Sequence, residues 1–100
     1  MNISMMNQKD RSQYILNLVK EIDYGTVRTY GDIANEVYGD PASARGVASA
    51  IKKKAQIDCK NFPWWRVVDR KLKPTQAKPG ARELLEDEGV NFTQNGEVAD

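Results

Sequence analysis

Histidine is absent from this 100-residue sequence, and Cys59 is its single cysteine. Without an imidazole, the chain cannot form Ser-His or Cys-His nucleophile pairs or use histidine as a general acid or base. The shortage of both residue types also argues against a zinc site. One cysteine excludes an intrachain disulfide framework and fits a reducing cytoplasm. We therefore expect neither a metal nor a cofactor.

Long apolar runs are missing as well. No stretch approaches the roughly 20 apolar residues of a membrane helix, and Met1 to Asn7 lack the basic and then apolar pattern of a signal peptide. The composition, 40% hydrophobic and 29% charged, is that of an ordinary globular protein. We predict a single cytoplasmic domain over residues 1–100, with an ordered core from about residue 9 to about residue 92 and no membrane contact.

Charge is distributed unevenly along the chain, although the formal net charge is only +1. Residues 41–82 contain eleven basic and two acidic residues, a net charge of +9, and the two ends together carry −8. A basic middle segment suggests a surface that faces a polyanion. The alternative is a solvated face whose charge is compensated by acids nearby.

Apolar spacing and capping signals predict the secondary structure. The predicted helices are 11–23 with Asp10 in a capping box, 30–37 capped by Thr29, 41–54 after Asp40-Pro41, and 81–88 ended by Gly89. Residues 26–28 and Val67-Val68 suggest short extended segments, and Val90 and Phe92 a final strand or cap. We expect a surface loop over 69–80, a loose terminus over 1–8 and fraying over 93–100.

The second and third predicted helices form a helix-turn-helix pattern. The outer surface of the third helix is made of small residues, namely Ser43, Ala44, Gly46, Ala48, Ser49 and Ala50. Arg45, Ser49 and Lys52 share one of its faces. An arginine in a first helical turn opposes the helix dipole, so its placement needs a reason. A role toward an anion and an exposed arginine whose stem lies along the surface both stay open.

Two adjacent tryptophans, Trp64 and Trp65, follow Pro63 and precede Arg66. On a strand, neighbouring side chains point to opposite faces, so one indole would pack inward and the other would line a surface or pocket. A stacking face beside a guanidinium suits a base that has left its helix. The alternative is a core tryptophan shielded by a half-exposed one.

Three segments carry a resemblance to the C-terminal domain of O-6-alkylguanine-DNA alkyltransferases. They are GTVRTYGDIA at 25–34, ARGVA at 44–48 and PWWRVV at 63–68, within a similar region from about residue 14 to about residue 92. Those enzymes carry Pro-Cys-His-Arg-Val at the last motif, and the cysteine accepts the alkyl group. Here Trp64 stands at the cysteine position. That exchange marks the alkyltransferase-like proteins, which usually keep the histidine that Trp65 replaces.

The resemblance implies a small α+β domain with a helix-turn-helix, winged-helix-like, that enters the minor groove. It implies that Tyr30 rotates the target nucleotide out of the duplex and that Arg45 fills the gap. The residues implied to lie against the minor groove are Ser43, Ala44, Gly46, Ala48, Ser49 and Lys52. Those implied to surround the flipped base are Tyr30, Trp64, Trp65, Arg66 and Val67. Lys73 or Lys78 would contact the base or a phosphate, and Glu83 matches the acid of the enzymes' Cys-His-Glu relay.

The function that the resemblance implies is recognition of O-6-alkylguanine in duplex DNA by base flipping, without catalytic residues. The protein would act as a monomer in a bacterial cytoplasm, on the nucleoid when bound, and would mark lesions for nucleotide excision repair proteins. Two alternatives stay open. A plain helix-turn-helix regulator is disfavoured by the small residues on the third helix, and an alkyltransferase using Cys59 by the distance of that residue from Pro63.

Overall fold

The computed structural model describes residues 8–99, so the loose terminus predicted for residues 1–8 lies almost entirely outside the described part. The helices are α1 Gln8–Lys20, α2 Tyr30–Tyr38, α3 Ala44–Ile57 and α4 Ala81–Asp87. The strands are β1 Arg28–Thr29, β2 Val67–Val68, β3 Asn91–Phe92 and β4 Val98–Ala99. The predicted α+β class is confirmed. No helix within the described range is long and apolar enough to cross a bilayer.

Helix α1 differs at both ends from the predicted range of 11–23. It begins at Gln8, which puts Asp10 inside the helix rather than at its cap. It ends at Lys20, where the hydrogen bonds shorten to three residues and tighten the last turn. The Glu21 amide bonds to the carbonyls of both Asn17 and Leu18 at 3.2 Å, and the Ile22 amide bonds to the Val19 carbonyl at 3.1 Å. Gly25 is left-handed, with φ 79°, but it serves the turn that follows.

The helix-turn-helix forms where it was predicted, and its caps explain its ends. Thr29 Oγ1 accepts the Asp32 amide at 2.9 Å at the start of α2, and Gly39 ends that helix with φ 72°. The Asp40 side chain accepts the Ala42 amide at 2.9 Å. A 3-10 turn over Pro41–Ser43 follows, so α3 begins at Ala44 and not at residue 41, and it extends three residues past the predicted end.

Apolar stripes of α1, α2 and α3 meet in the main core. The fully buried members, at 0–1% exposure, are Ile15, Val19, Ile33, Ala34, Val37, Val47, Ile51, Ala55, Phe62, Trp64 and Val67. A second, smaller cluster contains Val68, Leu85 and Val90. Trp65 packs against both clusters, so the Trp pair lies at the junction of the helical core and the C-terminal part of the fold.

The C-terminal segment is a β-hairpin, which corrects the fraying predicted for residues 93–100. Strand β3 pairs antiparallel with β4 through Asn91–Ala99 and Phe92–Val98. The Thr93 amide donates to the Glu97 carbonyl at 2.7 Å, and Gly96 adopts φ 81° in the turn. An Asn-Gly pair is a strong hairpin signal because both residues tolerate positive φ. The ordered domain therefore reaches residue 99.

The basic segment at 69–80 is a loop, as predicted, with an ordered first turn. Asp69 Oδ1 accepts the amides of Lys71 and Lys73 at 2.8 and 2.9 Å. Leu72, between them, has φ 64°, the only positive φ of a non-glycine residue in the described chain. Its amide bonds to the Asp69 carbonyl and its carbonyl accepts the Val98 amide, which ties this turn to the C-terminal hairpin.

Replacing Leu72 by glycine is expected to stabilise the fold. A side chain in the left-handed region costs about 1–2 kcal/mol, and Leu72 is 40% exposed, so little burial is lost. Part of the gain is offset by the greater flexibility of glycine in the unfolded chain, which leaves about 0.5–1 kcal/mol. Urea denaturation measures the change. Leu72→Ala, which keeps the Cβ atom, is the control, and equal stability of the two variants would contradict this explanation.

Candidate nucleic-acid interface

A two-residue parallel ladder brings two functional positions together. Strand β1 pairs with β2 through Arg28–Val67 and Thr29–Val68. Because paired parallel strands run in the same direction, the residues that follow them, Tyr30 and Asp69, emerge at the same end of the ladder. Both line two surface cavities of the described domain.

The two cavities lie on either side of Tyr30. The first, of about 820 Å³, opens beside the helix-turn-helix and includes Asn35, Pro41, Ala44 and Arg70 among its walls. The second, of about 580 Å³, lies between α3 and loop residues 74–77 and includes Ser49 and Lys52. Both volumes are in the range of small-molecule sites. Four residues line both cavities, namely Tyr30, Arg45, Ala48 and Asp69.

Tyr30 has its hydroxyl bonded to the Thr75 hydroxyl on the loop. Burial raises the pKa of the phenol above its ordinary value of 10.0; the hydrogen bond with Thr75 works in the opposite direction, and the Asp69 carboxylate raises the pKa further. The phenol therefore keeps its proton at neutral pH. A neutral hydroxyl at the common wall of two cavities is a hydrogen-bonding group, not a base.

The exposed face of α3 carries most of the predicted DNA-binding residues. Arg45, Ser49 and Lys52 are exposed, and Ala44 and Ala48 are partly exposed cavity walls. Three cations, Arg45, Lys52 and Arg70, line the cavities together with the carboxylates of Asp32 and Asp69. The resulting net charge of +1 (3 − 2) favours contact with a phosphate backbone. Small side chains between the cations allow close approach of the helix to another surface.

Two predicted members of this face, Ser43 and Gly46, line neither cavity. Ser43 is half-buried in the 3-10 turn before α3. Gly46 is exposed, and a Cβ atom there would lie 3.4 Å from the Tyr38 hydroxyl. The contact of α2 with α3 at Tyr38 is thus one reason for a small residue at 46, beside the role predicted for it against DNA.

Trp64 does not form a pocket wall, contrary to what the resemblance implied. The alternative, a core tryptophan shielded by a half-exposed one, is confirmed for Trp64 and Trp65. Trp64 belongs to a 3-10 turn, Trp64–Arg66, rather than to a strand. Its indole is 1% exposed, and its Nε1–H donates to the Cys59 carbonyl at 3.3 Å. Neither cavity includes it. The turn directs successive side chains about 120° apart, so Trp64 points into the core, where an indole packs best.

Trp65, Arg66 and Val67 also lie away from the two cavities, which does not match the pocket predicted around them. Val67 is fully buried. Trp65 packs edge-on to Trp64, with ring centroids 5.8 Å apart, and its Nε1–H donates to Glu88 Oε2 at 2.8 Å. Arg66 Nη2 donates to the same carboxylate at 2.9 Å. These residues support the strand ladder and do not line the cavities.

Glu88 is the centre of a buried polar network that joins four segments. Its Oε1 accepts the Gly25 amide at 2.8 Å, and Arg66 Nη1 donates to the Ile22 carbonyl at 2.9 Å. The side chains of Arg66 and Glu88 are only 14% and 6% exposed. Burial alone would raise the pKa of Glu88, but the hydrogen bonds from Arg66, Gly25 and Trp65 and the charge of Arg66 together lower it.

Glu88, and not Glu83, is the acid that faces the position of the missing histidine. Glu83 is exposed on the outer side of α4, whereas Glu88 lies at the helix end and accepts from Trp65. The assignment of Glu83 to the relay position is therefore wrong. Trp65 donates a hydrogen bond to Glu88, as a histidine could. Because an indole N–H does not titrate near neutral pH, Trp65 cannot exchange a proton with this acid.

Several cavity residues were not predicted as site residues. Asp69 follows a predicted strand, but the sequence did not show that this strand pairs with the segment before Tyr30. Arg70 was counted only as charge, and Thr75 and Gln76 carry no sequence signal that distinguishes them from other loop residues. Lys73 is exposed and Lys78 lines a separate recess with Pro79, so neither lies in the two cavities, and their contacts with DNA stay predictions.

Comparison with known sequences gives a consistent match. Residues 10–90 match the 6-O-methylguanine DNA methyltransferase, DNA binding domain. The chain is 37% identical over 94 residues to a bifunctional methyltransferase/endonuclease of Thermoplasma volcanium, covering 90% of this chain but only 28% of that longer protein. It is 33% identical to the DNA base-flipping protein of Escherichia coli, covering 86% of this chain and 67% of that protein. Alkyltransferase-like protein 1 of Schizosaccharomyces pombe is 35% identical, with coverages of 80% and 76%.

A solved structure matches the fold as well. It is the crystal structure of S. pombe Atl1 in complex with damaged DNA containing O6-carboxymethylguanine. The match has a TM-score of 0.72 at 33% sequence identity and covers 93% of this chain and 90% of that one. The similarity thus extends over nearly the whole fold.

Proposed function

The chain belongs to the family of the 6-O-methylguanine DNA methyltransferase DNA-binding domain, and we propose that it recognises O-6-alkylguanine in duplex DNA by base flipping, without repairing it. One observation carries the proposal: Tyr30 and Arg45 form the common wall of two cavities on the exposed, small-residue face of α3. The similar Atl1 structure contains damaged DNA, and the E. coli relative is a base-flipping protein.

The geometry fits the physical requirements of base flipping. Extruding a base costs a few kcal/mol in lost stacking and pairing, which an inserted side chain and contacts with the flipped base must offset. Arg45 projects from the first turn of α3, where it can enter the stack, and Tyr30 lies beside it. Both residues also line the second cavity, which lies between α3 and loop residues 74–77. This cavity would receive the base.

Phosphate contacts supply the affinity that does not depend on sequence. Lys52 and Arg70 border the cavities, and cations in such positions release counterions from DNA when they bind. The minor groove offers little sequence information, which suits a protein that must find a lesion in any sequence. Small side chains dominate the exposed start of α3, where Arg45 is the exception, and this favours lesion recognition over a sequence-specific regulator.

We propose further that the protein carries out no alkyl transfer. The position of the enzymes' nucleophile is occupied by Trp64, whose indole is buried, and the sequence contains no histidine. The one thiol, that of Cys59, is exposed and lines neither cavity. A chain that holds a lesion without removing it would mark the site for other proteins, and nucleotide excision repair is the pathway that we propose, with the protein acting as a cytoplasmic monomer.

The test is a binding titration with two matched duplexes, one of which contains a single O-6-methylguanine. We expect the lesion duplex to bind at least about tenfold more tightly, because a lost base pair makes the alkylated guanine cheaper to extrude. Mass spectrometry of the protein after long incubation should show no added methyl group.

Equal affinity for both duplexes would contradict lesion recognition and would support the regulator alternative. A mass increase that maps to Cys59 would instead revive the alkyltransferase alternative. Omitting the lesion from the incubation provides the control for adventitious modification of the thiol.

A further inference from the structure

Thr75 is an unusual residue for a basic surface loop. Among the residues whose burial the structure describes, it is the one polar side chain in the buried class, with 5% exposure. It lies in the loop wall of the second cavity, opposite α3. Its hydroxyl has two partners, the amide of Ala77 at 3.1 Å and the hydroxyl of Tyr30.

Counting donors and acceptors assigns a direction to the bond between the two hydroxyls. An amide N–H only donates, so Ala77 uses a lone pair of Thr75 Oγ1. The Thr75 proton then requires an acceptor, because a buried hydroxyl without one is unfavourable. Tyr30 Oη is the acceptor that the Thr75 hydroxyl contacts. The favoured arrangement is therefore donation from Ala77 to Thr75 and from Thr75 to Tyr30.

This direction leaves the proton of Tyr30 free for another partner. Tyr30 then receives from Thr75 through one lone pair, so its own O–H is free to turn into the second cavity, which the phenol lines. Hydrogen bonds in such a chain polarise one another, which makes the terminal O–H a better donor. Burial raises the pKa of this phenol, so the proton is retained at neutral pH.

We infer that Thr75 is a positioning residue for lesion recognition: it donates to Tyr30 and thereby presents the Tyr30 hydroxyl as a donor to an acceptor atom of the nucleotide bound at the second cavity. The inference rests on the proposed function, since it assumes that a nucleotide enters there. The acceptor is either a phosphate oxygen or a ring nitrogen or oxygen of the base, and both have the same hydrogen-bonding chemistry.

The experiment is a double-mutant cycle on the affinity for the lesion duplex. Thr75→Val keeps the shape of the side chain and removes the hydroxyl, and Tyr30→Phe removes the donor itself. We expect Thr75→Val to weaken binding about tenfold, because the Tyr30 hydroxyl would no longer be directed at the nucleotide. Tyr30→Phe should have a comparable effect. In the Tyr30→Phe background, Thr75→Val should change affinity less than about twofold. Thr75→Ser, which restores the hydroxyl, should bind within about twofold of the unmodified protein.

A purely structural role of Thr75 would give a different pattern. Loss of the Ala77 bond would displace the loop in both backgrounds, so Thr75→Val would weaken binding equally with and without the Tyr30 hydroxyl. That result, or wild-type affinity of Thr75→Val, overturns the inference. Thermal unfolding of all variants ensures that each is measured well below its midpoint.

The undamaged duplex identifies the acceptor and separates this inference from the proposed function. If the acceptor is a phosphate, the coupling between Thr75 and Tyr30 appears with both duplexes; if it belongs to the extruded base, the coupling appears with the lesion duplex alone. Absence of any lesion preference in the unmodified protein would refute the proposed function, while coupling in its affinity for undamaged DNA would still support the role of Thr75.

Discussion

Replacing Glu88 by alanine is expected to lower the free energy of unfolding by about 3–5 kcal/mol, because the Arg66 guanidinium would lose its partner while it stays buried. The carboxylate accepts hydrogen bonds from Arg66, Trp65 and the Gly25 amide. Three donors from two segments of the chain thus lose a shared acceptor at once. Urea denaturation at neutral pH measures the effect.

Glu83 provides the matched control on the same short helix. It is an exposed glutamate, so Glu83→Ala should change stability by no more than about 0.5 kcal/mol. Similar losses for the two variants would show that helix propensity, and not the buried network, determines the effect. A third variant, Glu88→Gln, keeps the size of the side chain and should fall between the other two.

The same carboxylate predicts a dependence of stability on pH. Its pKa is lowered in the folded protein because the hydrogen bonds from Arg66, Gly25 and Trp65 outweigh the opposing effect of burial. Its stabilising contribution is therefore complete above the unfolded value of about 4.3 and is lost as the pH falls through the lower native value. The stability difference between the unmodified protein and Glu88→Gln should shrink on acidification below about pH 4. A constant difference down to pH 2 would contradict the assignment.

Replacing Arg45 by alanine is expected to weaken binding to the lesion duplex by about 2–3 kcal/mol, roughly 30- to 150-fold, because the gap left by the flipped base would no longer be filled. Arg45 is exposed at the first turn of α3 and borders both cavities. Binding to undamaged DNA should fall only a fewfold, since one cation is lost. Tyr30→Ala should likewise act mainly on the lesion duplex.

Lys52 is the charge-matched control for Arg45. It lies on the same exposed face of α3, two helical turns further on. Lys52→Ala should weaken binding to both duplexes equally and reduce the dependence of affinity on salt concentration by about one counterion. If Arg45→Ala behaves in the same way as Lys52→Ala, the arginine serves as a phosphate contact and the flipping mechanism fails at this residue.

Local signals predicted the helix-turn-helix well. Thr29 caps α2 as predicted, and Asp40 acts within one turn of chain as well, although it caps the 3-10 turn before α3 rather than α3 itself. Features that depend on distant segments were harder to predict. Whether Trp64 faces the core or a cavity is decided by how the turn after Pro63 sits against α1 and α3, and no residue near it in sequence specifies that arrangement.

The acid that faces the position of the enzymes' histidine also depends on a distant segment and was hard to predict. Glu83 lies in α4 and Glu88 directly follows that helix, and their spacing in this acidic stretch does not distinguish them. The choice depends on Trp65, more than twenty residues earlier in the chain. The C-terminal hairpin is a different case, because Asn95-Gly96 is a local signal for a turn between strands. That part of the fold was predictable from the sequence.

The burial of the Trp pair has a consequence for optical studies of this protein. Neither indole borders the cavities that face DNA, and the sequence contains no other tryptophan. Bases bound on α3 therefore cannot stack on either indole. A change in tryptophan fluorescence during a DNA titration would report movement of the 3-10 turn that carries the two indoles, and a constant tryptophan signal would show that this turn stays fixed.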